Sequence, residues 1–323
     1  MLKRAWPERR PCRPFFTSLT LIIYNSRVPQ NNCSVTAFAG KGGVGKTTCA
    51  AATALYYSSK GQKTLAISTD ATPSLAHIFE TAAGSEPVRV TDNLYFSEIG
   101  AEEARHLWDS KFGRDVYQVF SSFVDIGYAE FMNFMASMLP GLAEELMVDY
   151  IRELAEKNCY DAIVWDTAPL GQTMALLGTP ALLTRHLRMA PRIYTKMKAG
   201  TGTKEPILNI IHRWEALSAA DMSFLRQGVD FNIVAIAEAL ALNQLDGIFA
   251  ELDQYKFKVS RLIINNVIEQ ADSAFLREKS AQQEGYLELI RSKYAKLLVT
   301  ELPLFPHEVR GLEKIGQIAS LLY

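Results

Sequence analysis

Gly40-Lys41-Gly42-Gly43-Val44-Gly45-Lys46-Thr47-Thr48 is the stretch from which the rest of this chain can be read. It satisfies G-x-x-x-x-G-K-[ST] at every fixed position. Glycines let successive backbone N–H groups converge on a polyanion, and a helix starting immediately afterwards turns its positive dipole end to the same point. Lys46 then reaches the β- and γ-phosphates, and the Thr47 hydroxyl takes a place on Mg2+. The flanks agree: Ser34 to Ala39 has the character of a short buried strand, and Lys46 to about Ser59 that of an alanine-rich helix. A chance glycine-rich turn would lack both neighbours. The expectation is a nucleotide-binding loop.

Outward from the loop, strand and helix signals alternate. Gln62–Ser68, Leu94–Ile99, Asp161–Trp165, Phe231–Ile236, Val259–Ile264 and Leu297–Glu301 read as strands, and Glu308 to Leu322 as a closing helix. Such alternation predicts an α/β fold with a doubly wound, mostly parallel sheet and a ligand at the C-terminal strand ends. Residues 101–158 and 181–227 read as helical insertions, the second interrupted at Pro191 and at Gly200-Thr201-Gly202. The domain is expected over residues 34–323. Residues 1–33 are basic, with Lys3, Arg4, Arg9, Arg10, Arg13 and Arg27 opposed only by Glu8. Without a small-residue cleavage site they read as a poorly ordered extension or a misassigned start.

Phosphoryl transfer needs positioning, a metal and a group that orients the attacking water. Asp70 follows the second strand and Asp166 ends the strand after the first helical block, so both should open onto the loop. Asp166 is placed as a carboxylate for the Mg2+ shell. Asp70 is the better candidate to orient water, although an Asp after a strand can equally be a helix cap.

Lys41, directly after the first glycine, gives K-G-G-V-G-K-T-T, and in this the loop resembles the deviant phosphate loop of one ATPase class. Further segments follow in order: Ser68-Thr-Asp70, Asp166-Thr-Ala-Pro-Leu-Gly-Gln-Thr173, Ile264-Asn265 and Leu302-Pro-Leu-Phe-Pro-His-Glu-Val-Arg-Gly311. Over roughly residues 34–323 the chain resembles the ArsA-type ATPases, a family of arsenite-pump ATPases and of ATPases that carry tail-anchored membrane proteins. The resemblance implies ATP as substrate and an ATP-gated homodimer in which Lys41 reaches the partner's phosphates. It also implies a water-orienting Asp70 in a first switch, a γ-phosphate sensor over Asp166–Thr173, and an adenine pocket at Asn265 and around Pro306. Two departures stand out. His77 occupies a place where the family usually has an acidic residue, and Gln172 one where His is common. The arsenite-binding cysteines and the C-x-x-C of the eukaryotic targeting members have no counterpart.

The load on this engine is read from the helical blocks. Met132, Met135, Met138 and Met147 gather nearly half of the nine methionines in one short interval. Phe131, Phe134, Met135 and Met138 share one helical face. Flexible thioethers suit a groove for varied hydrophobic helices, although such a stripe is more often core. The resemblance implies more, since the targeting members of that family bind their clients with helices in this interval, and it makes capture of hydrophobic membrane-protein segments over Phe131–Met147 the leading expectation, with a membrane receptor or pump subunit as a further partner. The energising subunit of an arsenite or anion pump is the alternative, and a partition or positioning ATPase the second. At 323 residues, 48% hydrophobic and with net charge −1, the chain offers no basic field for nucleic acid. The four scattered cysteines and the lack of a run of ~20 apolar residues suit a cytoplasmic protein, peripheral at most to a membrane.

Overall fold

The computed structural model describes residues 33–69, 74–121, 124–138, 142–167 and 207–323. Its first strand, β1 (Ser34–Gly40), feeds the glycine loop and then α1 (Lys46–Ser59). β2 (Thr64–Ser68), the short α2 (Leu75–Ile78), β3 (Val88–Arg89) and β4 (Leu94–Glu98) follow. The first helical block comprises α3 (Ala101–Trp108), a π-helical turn (Asp109–Gly113), α4 (Arg114–Ser121), α5 (Tyr128–Met138) and α6 (Leu142–Glu156). After β5 (Ala162–Asp166), the described chain resumes at α7 (Ile207–Gln227). It ends with β6 (Val229–Ile236), α8 (Ala239–Tyr255), β7 (Lys258–Val267), α9 (Ala274–Lys293), β8 (Leu298–Pro303) and α10 (Leu312–Leu322).

The strands form one sheet in the order β3-β4-β2-β5-β1-β6-β7-β8, parallel except for the β3–β4 edge pair. This is the predicted α/β architecture. Period-two geometry divides the side chains between two layers. Val35, Ala37 and Ala39 of β1, Leu65 and Ile67 of β2, and Ile163 and Trp165 of β5 enter a core shared with α6, α7, α8 and α9. Phe38, Ala66 and Val164 enter the opposite core, under α1 and α10. Both faces are covered, which is why these strands read as unbroken apolar runs. One consequence bears on function. Ser68 and Asp166 stand two residues from Ala66 and Val164, so they lie on the α1 face.

α1 packs closely because Cys49, Ala50, Ala51, Ala52 and Ala54 are small and fully buried. Against it lies α10, burying Ile315, Ile318 and Leu322, each contributing about 1.5–3 kcal/mol. α10 begins at Leu312, later than the expected Glu308. Gly311 precedes it with φ 79°, and its N–H is committed to the Ile78 carbonyl at 2.9 Å. Past α10, Tyr323 stacks on Tyr56 with ring centroids 4.1 Å apart. β3 and α9 are additions to the sequence reading. β3 is only two residues long, and α9 keeps little more than Leu287 and Ile290 inside.

The first helical block is strand-free over its described residues, as its sequence predicts. Its members are joined by buried charges. Arg152 Nε donates to Asp221 Oδ1 at 2.7 Å, its other nitrogens reach Asp149 at 2.5 Å and Glu156 at 2.9 Å, and Lys111 pairs with Asp149 and Glu153. Asp149 and Asp221 are wholly buried. Burial, and then the neighbouring Asp149, push the Asp221 carboxyl up to about 7, against the pull of Arg152. Its Oδ2 is buried without a hydrogen-bond partner.

Candidate active site

The loop between β1 and α1 lies at the centre of the sheet, where β1 is flanked by β5 and β6. Two of its glycines are dictated by geometry. At Gly40 a Cβ would sit 2.2 Å from the Val234 carbonyl oxygen of β6, and at Gly45, with φ 95°, it would sit 2.2 Å from Asn265 Nδ2. Gly45 also occupies the cap position of α1 and offers no side-chain acceptor, and the helix has no acid in its first turn. The first-turn N–H groups are therefore neither capped by a side chain of that position nor faced by an acid of their own turn, which leaves them for a phosphate.

The two lysines of the loop behave differently. Lys46 is 5% exposed and its ammonium donates to the Lys41 carbonyl at 3.3 Å. Lys41, like Gly42 and Gly43, is exposed, while Val44 is packed into the α1-side core. Thr47 is half-buried, and its hydroxyl donates to Asp166 Oδ2 at 2.9 Å. Thr48, next in the same turn, is also half-buried. A hydroxyl and a carboxylate brought together in this way form a hard-oxygen pair of the kind that Mg2+ prefers alongside phosphate oxygens. The donor set fits that ion, with Thr47 and Asp166 as the residues that would hold it.

Asp166 is 1% exposed and rests on more than Thr47. Ser68 Oγ donates to the same oxygen, Oδ2, at 3.0 Å. Thr69 N donates to the Asp166 carbonyl at 3.1 Å, and Trp165 Nε1 to Thr69 Oγ1 at 3.0 Å. Thr167 Oγ1 closes onto the Phe38 carbonyl of β1 at 2.8 Å. Sequence reasoning did not single out Ser68. Its signal is the β2–β5 register, which pairs Ser68 with Asp166 and so sets their side chains side by side on one face.

Asp70 lies outside the described residues, as do residues 168–206, which hold most of the expected γ-phosphate sensor. The described end of the expected first switch is anchored: Ala76 N donates to Glu98 Oε1 at 2.9 Å, and His77 Nε2 meets Glu308 Oε1 at 3.0 Å. His77 therefore bonds to the loop that follows β8. That hydrogen bond, ahead of the nearby Arg310 charge, holds the Glu308 carboxyl below its usual range. Asn265, at the end of β7, does not simply face outward for a base. Its Nδ2 donates to the Val44 carbonyl at 2.9 Å and so pins the glycine loop. Pro306 is exposed in the same β8–α10 loop as Glu308.

The methionine stretch divides. Phe131 is fully buried, and Met132 and Met147 are buried with it in the large core. Phe131 sits beside the Tyr117 and Tyr128 rings, at centroid distances of 5.3 and 6.2 Å. Phe131, which begins the expected Phe131–Met138 stripe, thus belongs to the core. The side chains of Phe134, Met135 and Met138 lie outside the described ones. No helix among the described residues is long and apolar enough to cross a membrane.

The model of a family described as "Anion-transporting ATPase" matches residues 33–323. A putative arsenical pump-driving ATPase of Chlorobaculum tepidum is 28% identical over 308 residues, covering 90% of this chain and 75% of the relative. The ATPase GET3A of Arabidopsis thaliana is 29% identical over 295 residues, 85% of this chain and 80% of the relative. The ATPase ASNA1 homolog 2 of Paramecium tetraurelia is 26% identical over 302 residues, 88% of this chain and 91% of the relative.

Proposed function

From the premise that this chain belongs to the anion-transporting ATPase family and hydrolyses ATP, we propose that it works as a Mg2+-dependent, ATP-gated homodimer that captures hydrophobic membrane-protein segments. One observation carries the dimer: two lysines of a single loop are disposed oppositely, Lys46 buried and Lys41 exposed. Lys46 neutralises phosphate charge within its own subunit. Lys41, extending from the same turn, supplies a second cation to the phosphates of a partner. Two cations around a γ-phosphoryl group offset the charge that spreads over its equatorial oxygens in the transition state.

The contacts described above support the roles of Thr47, Asp166 and Asn265 in this reading, and Asp70 takes its role from its place after β2. First-turn amides of α1 would cradle the phosphates, and Thr47 with Asp166 would hold Mg2+, whose charge would offset that of the phosphates. Asn265 keeps the loop open by fixing the Val44 carbonyl, so little reorganisation is left for the moment of binding. Asp70 orients the attacking water in this reading.

Subunit mixing tests the dimer. Lys41→Ala and Lys46→Ala proteins are each inactive on this proposal, yet their heterodimer retains one intact site, with Lys46 in cis and Lys41 from the partner. Equal mixing with ATP·Mg2+ should restore about a quarter of the wild-type rate, since random pairing makes half the dimers mixed and leaves each one working site. A mixture that forms dimers but recovers no activity removes the trans role.

For the load, α5 supports the hydrophobic-segment reading. Its Phe131 turn is anchored in the core, and the chain continues from there through Met135 and Met138. Replacing both methionines with Ser should abolish co-purification of single-span membrane proteins with the ATP-bound dimer while ATP hydrolysis persists; unchanged capture would refute it. A pump-driving role of the kind named in the Chlorobaculum relative is less well supported. Arsenite binding needs accessible thiolates, whereas burial pushes the thiols of Cys33 and Cys49 up to about 12.

A further inference from the structure

Ser68 is not part of the phosphate loop, yet it touches the residue on which the metal site depends. Its hydroxyl and that of Thr47 donate to one oxygen, Asp166 Oδ2, at 3.0 and 2.9 Å. Ser68 is wholly buried at the end of β2, and Asp166 is 1% exposed at the end of β5. Hydroxyl donors to a carboxylate form charge-assisted bonds, stronger than neutral ones and sharply directional. A carboxylate held by two of them cannot rotate without giving up both. Ser68 is also the last strand residue before Thr69, and Thr69 is itself tied to Asp166 and Trp165 by the bonds already described. The strand end that leads toward Asp70 is therefore fastened to the strand end that carries Asp166.

We infer that Ser68 is a positioning residue for the metal site, orienting the Asp166 carboxylate for the cation that accompanies ATP. This rests on the reading of Thr47 and Asp166 as the Mg2+ pair. Thr47 can engage Mg2+ only if its hydroxyl oxygen stays aimed at the site, and that aim is fixed by Asp166. Ser68 holds the same Asp166 oxygen from the neighbouring strand of the sheet. Partners of this kind, one bond removed from a metal ligand, change metal affinity by about 10–100-fold when removed. They leave direct ligand contacts unaltered. Ser68 should therefore matter to the metal and not to the nucleotide's other contacts.

The test compares wild type, Ser68→Ala and Ser68→Thr. A fluorescent ATP analogue is titrated in EDTA, and Mn2+ is then titrated into the nucleotide-loaded protein and followed by electron paramagnetic resonance. Ser68→Ala should bind the analogue within about twofold of wild type in EDTA, and Mn2+ about 10–100-fold more weakly. Ser68→Thr, which keeps the hydroxyl, should recover most of the Mn2+ affinity. A thermal melt checks that each variant is folded. If the methyl of Thr prevents folding, Ser68→Cys, a near-isostere with a weaker donor, should fall between wild type and Ala. Mn2+ affinity unchanged in Ser68→Ala overturns the inference. An equal loss of analogue binding with and without metal also overturns it, because that is the signature of a general structural role. If the wild type itself binds the analogue but no Mn2+, the parent reading of Thr47 and Asp166 fails, and this is distinguishable because it does not depend on Ser68.

Discussion

Gly45→Ala tests the geometry of the phosphate loop, because two separable penalties meet at this residue. Its φ of 95° lies in the left-handed region, where a Cβ costs about 1–2 kcal/mol. That Cβ would also stand 2.2 Å from Asn265 Nδ2, so the amide must swing away and lose its 2.9 Å bond to the Val44 carbonyl. A net hydrogen bond is worth about 1 kcal/mol. Together the loop is disfavoured by about 2–3 kcal/mol, which weakens ATP about 30–150-fold at tenfold per 1.4 kcal/mol. Asn265→Ala alone removes only the hydrogen bond and should weaken ATP about fivefold. The double variant is decisive. Once the methyl introduced by Gly45→Ala has displaced the amide, Asn265 has little left to lose, so Gly45→Ala/Asn265→Ala should bind ATP about as well as Gly45→Ala. Calorimetric ATP titrations of the four proteins complete the cycle. If Asn265→Ala costs the same factor in both backgrounds, Asn265 does not stand over Gly45 and the reasoning is wrong.

Lys46→Ala should weaken ATP by about 10–150-fold, the equivalent of a charged hydrogen bond of about 1.5–3 kcal/mol, without lowering the melting temperature of the nucleotide-free protein; unchanged affinity would end the phosphate assignment. Asp221 makes stability depend on pH. Its folded pKa, raised to about 7, lies above the unfolded ~3.9, so its contribution is full below about pH 4 and lost as pH rises through about 7. At about 1.36 kcal/mol per unit this amounts to at most about 4 kcal/mol. Wild-type stability to urea should fall from pH 5 to pH 8, and Asp221→Asn should flatten that slope. Glu153, held below the usual carboxylate range despite its burial by Lys111 and its other basic neighbours, does not titrate in this window. A wild-type slope of opposite sign would mean that Asp221 is charged throughout. Phe131→Ala should cost about 3–5 kcal/mol in urea denaturation, whereas a residue in an open client groove would cost well under 1 kcal/mol.

What the sequence made legible was local. Gly40–Thr48, the strand before it and the helix after it carry their chemistry within a few residues, and the bounds of α1 were read correctly. Asp166 was legible because it ends an apolar strand. Ser68 was not, because its importance lies in a lateral pairing that no spacing along the chain encodes. The same holds for Lys111, Asp149, Arg152 and Asp221, which come together from the π-helical turn, α6 and α7 and read individually as ordinary surface charges. Phe131 misled for the opposite reason: a helical stripe gives a face but not what covers it. Asn265 was expected at the base, and only the β7 register brought its amide over Gly45.

The sheet order has a kinetic consequence. β1, which opens the phosphate loop, pairs Ser34 with Ala162 on one side and Val35 with Val229 on the other. During synthesis this strand must wait, unpaired, until two much later ones have been made. Loops this long are closed late, and proteins rich in such distant pairings fold slowly. The nucleotide site is thus among the last features to form, so ATP cannot assist the nascent chain. It can only hold, by mass action, a molecule that has already closed its sheet.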